Sequence, residues 1–102
     1  MENKKHELFY GRLGVDPKLS YTKMSLPVCE LSIGVTDDEN KTVWKKVVVF
    51  GVMAELCHVH LKKGQEVFVR GQNKTREYTN KDGEQKIVNE ITASFVAVAV
   101  GH

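Results

Sequence analysis

The chain has 102 residues, of which 41% are hydrophobic and 27% are charged. This length suits one domain of ordinary size, so we expect residues 1–102 to form a single domain. The sequence contains no run of about 18 apolar residues, which excludes a membrane-spanning helix, and the polar residues 1–5 do not suit a secretory signal. We therefore expect a cytoplasmic protein with no membrane partner.

The charge of the chain is unevenly distributed, although the net charge is only +2. Residues 41–86 carry a formal charge of +5, whereas the rest of the chain carries −3. This asymmetry suggests an anionic partner without proving one.

Three β-strands are predicted in the first half of the chain. Residues 5–13 are rich in apolar and aromatic side chains and end in a turn-prone segment, which predicts the first strand. Residues 28–36 alternate strictly and predict a half-buried strand. Its apolar residues are Cys29, Leu31, Ile33 and Val35, and its opposite face carries Glu30, Ser32 and Gly34. Residues 43–50 are β-branched and aromatic, as a third strand requires.

A helix and two further strands complete the predicted fold. After Gly51 one helical stripe is formed by Met53, Leu56, Cys57, His60 and Leu61. Lys62 and Lys63 are predicted to form the positively charged last turn of this helix, and Gly64 is predicted to end it. Strands at residues 66–79 and 84–98 follow, joined by a hairpin at residues 80–83. The order β-β-β-α-β-β predicts an all-β fold with one short helix, the five-stranded OB-fold Greek-key barrel, which commonly binds oligonucleotides on one face.

Catalytic and metal sites are not indicated. The chain lacks a glycine-rich phosphate loop, a nucleophile elbow and paired CxxC motifs. Cys57, His58 and His60 form a small cluster, but His58 points away from Cys57 on a helix and no further ligands are evident. We expect no enzymatic activity, no metal and no cofactor, and we expect Cys29 and Cys57 to be reduced core thiols.

The third strand indicates a binding face. With a period of two, the valine-rich side suits the barrel interior, so the other side projects outward. The outward side carries Trp44, Lys46, Val48 and Phe50. In the fourth strand Lys74, Arg76 and Tyr78 alternate onto one face in the same way. Exposed rings beside cations are what unpaired nucleotides require, flat surfaces for bases and positive charge for phosphates.

Other interpretations of these side chains stay open. Trp44 could cap a barrel end or fill a dimer interface, because aromatic residues dominate both cores and interfaces. Phe50 could belong to the core, and Tyr78 could form a simple cross-strand pair. A single lysine or arginine is usually a solvated surface charge. The binding hypothesis depends on the coincidence of cations with aromatic rings.

Several sequence blocks resemble the bacterial single-stranded DNA-binding protein family. They are GRLGVDP at residues 11–17 with Tyr21, WKKVVVFG at residues 44–51 with the following helix to Gly64, and residues 67–79. The resemblance covers about residues 8–92. It implies an OB fold that binds single-stranded DNA without sequence preference in replication, repair or recombination, usually as a homotetramer and without catalysis.

The resemblance also implies roles for individual residues. Trp44 and Phe50 match positions that stack bases, and Tyr78 occupies a stacking position where tryptophan is common. Basic positions along the DNA path are matched by Lys46, Lys74 and Arg76, and a basic helix end by Lys62 and Lys63.

Departures from the family pattern modify these expectations. The chain stops at His102 without an acidic, Phe-ended tail, so tail-mediated protein recruitment is not expected. The loop at residues 36–41 lacks a tryptophan that family members often have. Lys45 replaces a histidine found at a subunit contact, so a dimer is the alternative to the homotetramer. Two functional alternatives remain, a primosome-type OB protein that bridges single-stranded DNA and a helicase, and an RNA-binding OB barrel.

Overall fold

Six strands and one helix make up the fold in this computed structural model, which describes residues 5–100 except the side chains of Lys5 and Arg76. The elements are β1 (Lys5–Leu13), β2 (Lys18–Tyr21), β3 (Pro27–Thr36), β4 (Thr42–Phe50), α1 (Val52–His60), β5 (Glu66–Thr79) and β6 (Gln85–Val98). The OB-fold barrel is confirmed, with the helix where the sequence predicts it. The short strand β2, which the sequence analysis did not predict, pairs antiparallel with the start of β3.

The strands close into a ring. Their order in the sheet is β1-β5-β6-β4-β3-β2, and β1 also pairs with β3 through Arg12 opposite Gly34 and Leu13 opposite Ile33. β4 and β6 are parallel and meet at Val47 opposite Ile91. Closure of this kind leaves few backbone groups exposed at strand edges.

The interior of the ring is filled by one side of each strand, as alternation predicts. The fully buried side chains include Leu13, Cys29, Leu31, Ile33, Val47, Val49, Val67 and Val69. Both cysteines are free and buried. Burial raises the pKa of the Cys29 thiol to about 11, and it raises the pKa of the Cys57 thiol as well, because desolvation disfavours the thiolate.

Helix α1 covers the barrel beside β3. It follows Gly51, whose φ of 74° lies in the left-handed region that favours glycine. Ala54 and Cys57 are its buried residues. The predicted helical stripe is therefore wrong in part, because Leu56 and His60 are exposed. A nine-residue helix that lies on the barrel needs only a narrow apolar face.

The end of α1 also differs from the prediction. The helix stops at His60 and Leu61 has extended backbone, so Lys62 and Lys63 lie in the connection to β5 instead of the last helical turn. Within residues 5–100, no helix is long and apolar enough to cross a membrane.

The outer parts of β5 and β6 form a hairpin arm. The pairing continues from Lys74 opposite Glu90 to Thr79 opposite Gln85, beyond the residues at which β6 meets β4. Asn80 shapes the predicted turn, because its side-chain oxygen accepts hydrogen bonds from the backbone N–H groups of Asp82 and Glu84 at 3.0 and 2.9 Å.

We expect the substitution Leu31→Ala to lower the free energy of unfolding by about 2 to 5 kcal/mol, because it leaves a cavity in a fully packed interior. The matched control Leu56→Ala removes the same atoms from a half-exposed helix position and should cost less than about 1 kcal/mol. Urea unfolding of both variants measures the difference. Equal losses would contradict the placement of the core.

Candidate nucleic-acid interface

The outward side of β4 carries two exposed rings. Trp44 is 59% exposed and Phe50 is 45% exposed, whereas Val47 and Val49 are completely buried. The predicted outward orientation of Trp44 and Phe50 is therefore present, but the prediction for Val48 is wrong, because that side chain is buried among its neighbours. The two rings are separated by six residues, or about 20 Å along the strand. We call the surface on this side of β3, β4 and β6 the outer face.

Two glycines, Gly14 and Gly34, form the surface on which the Trp44 ring packs, and we call this surface the glycine seat. Gly34 lies directly opposite Trp44 in the β3–β4 ladder, and Gly14 follows β1. A Cβ atom on Gly14 would lie 2.5 Å from the indole Cζ3 atom, and one on Gly34 would lie 3.1 Å from the ring. One side of the indole therefore packs on backbone where no side chain fits, while much of the ring remains open to solvent.

A groove of about 330 Å³ lies beside Trp44, and two positively charged side chains form part of its lining. Arg12 and Lys63 both line it. The turn after α1 is anchored there, since the Lys63 backbone N–H donates to the Asp16 carboxylate at 2.8 Å. Arg12 was not predicted as a site residue, because its proximity to Trp44 depends on closure of β1 on β3. Lys62 does not line this groove.

Lys46 lies at the centre of the outer face between two carboxylates. Its Nζ atom is 3.2 Å from Glu30 Oε1 and 3.9 Å from Glu90 Oε1. Alternation in the sequence is enough to predict that Glu30 projects outward. The ion pairs of Lys46 could not be predicted in this way, because they depend on how β3, β4 and β6 are aligned with one another. A groove of about 210 Å³ also adjoins Lys46 and Glu30 and includes Lys18.

The hairpin arm extends this surface. Lys74 is directly opposite Glu90, which places their side chains on one face, and Glu90 in turn reaches Lys46. Tyr78 is 47% exposed and pairs with Lys86, about 13 Å further out along the arm. The structure thus connects Lys74 to the β4 residues and places Tyr78 at a distance from them.

One predicted site residue is only partly described. Arg76 lies opposite Val88 in the β5–β6 ladder, but its side chain is outside the described part of the structure.

Metal chemistry has no visible support in the described residues. Between residues 5 and 100, no group of three or more His, Cys, Asp or Glu side chains is arranged to hold an ion. Cys57 is buried, while its neighbours His58 and His60 are exposed. The outer face offers flat rings, cations and the carboxylates paired with Lys46.

Comparison with known proteins identifies clear relatives. The model of the single-strand binding protein family matches residues 5–99. A single-stranded DNA-binding protein 1 of Xylella fastidiosa is 36% identical over 92 residues, covering 81% of this chain and 68% of that protein. Single-stranded DNA-binding proteins of Xanthomonas campestris pv. campestris and Xanthomonas axonopodis pv. citri are each 30% identical over 92% of this chain. The chain spans 59% and 57% of the length of these two relatives.

We expect Gly14→Ala to displace the Trp44 ring from its seat, because the added methyl group overlaps the indole. Acrylamide should then quench the fluorescence of this only tryptophan more efficiently, with a small change in stability, since the overlap involves the end of a side chain. Val15→Ala, at the neighbouring exposed position, is the control and should leave quenching unchanged. Identical quenching in both variants would show that the glycines do not position the ring.

Proposed function

This chain belongs to the single-strand binding protein family, and from this membership and the geometry of the outer face we propose that it binds single-stranded DNA. Binding is independent of base sequence and involves no catalysis. The names of its relatives support the ligand, and oligonucleotide binding is common among OB folds. We propose that this activity serves replication, repair or recombination, in the cytoplasm and associated with the nucleoid.

The observation that carries the proposal is the combination of open rings and cations on the outer face. Bases stack on Trp44 and Phe50, and the Trp44 ring has a rigid backing that keeps one side available. Arg12 and Lys63 stand beside Trp44 to meet phosphates. Each stacked base contributes about 1 to 3 kcal/mol, and every base type has a face to offer.

The remaining predicted residues extend the path. Lys46 and Lys74 provide positive charge at the centre of the face, and Tyr78 with Arg76 lies further out on the arm. Lys62 adjoins Lys63 after the helix and adds charge there. A duplex hides its base faces, so the stacking contribution is lost and duplex DNA binds weakly. No observation favours the helicase-bridging or RNA-binding alternatives over this function.

We also propose that the chain assembles into a homotetramer, with a dimer as the alternative. A second exposed apolar surface supports this, which we call the aromatic patch: Leu8, Tyr10, Phe68 and Phe95. Tyr10 and Phe68 are cross-strand neighbours with ring centroids 4.8 Å apart. Exposed aromatic and apolar residues that share one face commonly mark protein interfaces.

The exposed Arg70 is directly opposite both Leu8 and Phe95 at the aromatic patch, whereas Lys45 contacts Glu7 and Phe9 on the other side of β1. Lys45 is paired with Glu7 at 3.3 Å and lies 5.3 Å from the centre of the Phe9 ring. Its charge is therefore balanced within its own subunit. The Tyr10 hydroxyl donates to Glu66, and this hydrogen bond raises the pKa of Tyr10.

Trp44→Ala should weaken binding to oligo-dT by about 5- to 150-fold, because one stacking surface of about 1 to 3 kcal/mol is lost. Fluorescence anisotropy of labelled oligo-dT measures the dissociation constant. Tyr21→Ala removes a similarly exposed ring whose hydroxyl faces Glu55 of α1, and it should bind like the parent protein. No binding by the parent protein, or equal losses in both variants, would refute the proposed function.

Phe68→Lys should reduce the assembly to a smaller species, because it places a charge in the centre of the aromatic patch. Light scattering gives the mass in multiples of the 11.5 kDa chain. The control Val59→Lys alters an exposed position of α1 and should retain the parent mass. A monomeric parent protein, or an unchanged mass in Phe68→Lys, would contradict this interface.

A further inference from the structure

A row of alternating charges crosses the outer face from strand to strand. It runs from Lys18 on β2 through Glu30 on β3, Lys46 on β4 and Glu90 on β6 to Lys74 on β5. Lys18 is directly opposite Glu30, and Lys74 is directly opposite Glu90. Lys46 forms ion pairs with both Glu30 and Glu90 and so connects the Lys18–Glu30 pair to the Lys74–Glu90 pair. Each acid therefore lies between two lysines.

Lys46 consequently has two carboxylates within reach before any DNA arrives. Its side chain remains 45% exposed, so a phosphate can approach it from solvent. Glu30 is similarly exposed, whereas Glu90 is only 16% exposed and is therefore less accessible to solvent. A phosphate at Lys46 must draw the ammonium group away from these carboxylates and also approaches their negative charge.

We propose, on the basis of the proposed DNA-binding function, that Glu30 and Glu90 compete with DNA phosphate for Lys46 and thereby weaken the binding of single-stranded DNA. The two acids act as attenuators of affinity on the binding face itself. A cation that is already paired brings less new attraction than a solvated one. When phosphate displaces a carboxylate, that carboxylate takes up cations from solution, which offsets the counterions that the phosphate releases.

The competition has a specific signature in the salt dependence of binding. For single strands, the logarithm of the association constant falls with the logarithm of salt concentration by about 0.7 for each neutralised phosphate. If Lys46 is occupied by carboxylates, its phosphate contact contributes less than this amount. A variant in which Lys46 no longer pairs with these carboxylates should bind single-stranded DNA more tightly at low salt. Its affinity should also fall more steeply as the salt concentration rises.

Glu30→Gln tests the proposal, because the amide keeps the shape of the side chain and removes its charge. Anisotropy titrations with oligo-dT over a range of NaCl concentrations should show about two- to fivefold tighter binding at low salt. The salt slope should become steeper by up to about 0.7. Glu90→Gln should act in the same direction. Circular dichroism melting of each variant verifies that the fold is retained.

Two controls separate competition from a general charge effect. Glu55→Gln makes the same change in net charge on helix α1, outside the outer face, and should leave the slope unchanged. In a Lys46→Gln background, Glu30→Gln should lose most of its effect, since the competition acts through that lysine and only the direct repulsion between Glu30 and phosphate remains. If Glu30→Gln behaves like Glu55→Gln, or keeps its full effect without Lys46, the competition does not occur. Failure of the parent protein to bind oligo-dT would instead refute the proposed function.

Discussion

The two-residue period of β4 is the constraint on which the rest of the structure depends. The barrel interior accepts Val47 and Val49, which are completely buried, and this fixes which side of the strand faces outward. Trp44, Lys46 and Phe50 must then project from the barrel. A shift of one residue would turn the rings inward and expose the valines, so packing of the core and presentation of the binding face are set by the same register.

Affinity on such a face is a balance between attraction and restraint. In the proposed function, the glycine seat limits the freedom of Trp44 to reorient and so lowers the entropic cost of stacking a base. In the proposed competition, the carboxylates beside Lys46 act in the opposite direction by pairing with the central cation. A protein that coats transient single strands must also release them, and a face that combines rigid rings with paired cations can do both.

Local sequence signals were sufficient for the five longer strands, but not for relations between distant strands. Alternation and the Asp82-Gly83 turn predicted the elements and the outward direction of Trp44. Missed features depend on long-range register, including Arg12 beside Trp44 and Glu90 beside Lys46. The four-residue strand β2 carries too little pattern to predict, and the face of α1 depends on how the helix lies on the barrel.

The central claim is that unpaired DNA lies on the outer face, and amide chemical shift mapping during titration with oligo-dT tests it most directly. The account predicts that the largest changes occur at the Trp44 indole N–H and at the backbone of Gly34, Lys46 and Phe50. Residues of α1 should change little. Changes centred on α1 or on the aromatic patch, with the Trp44 indole unaffected, would contradict the account.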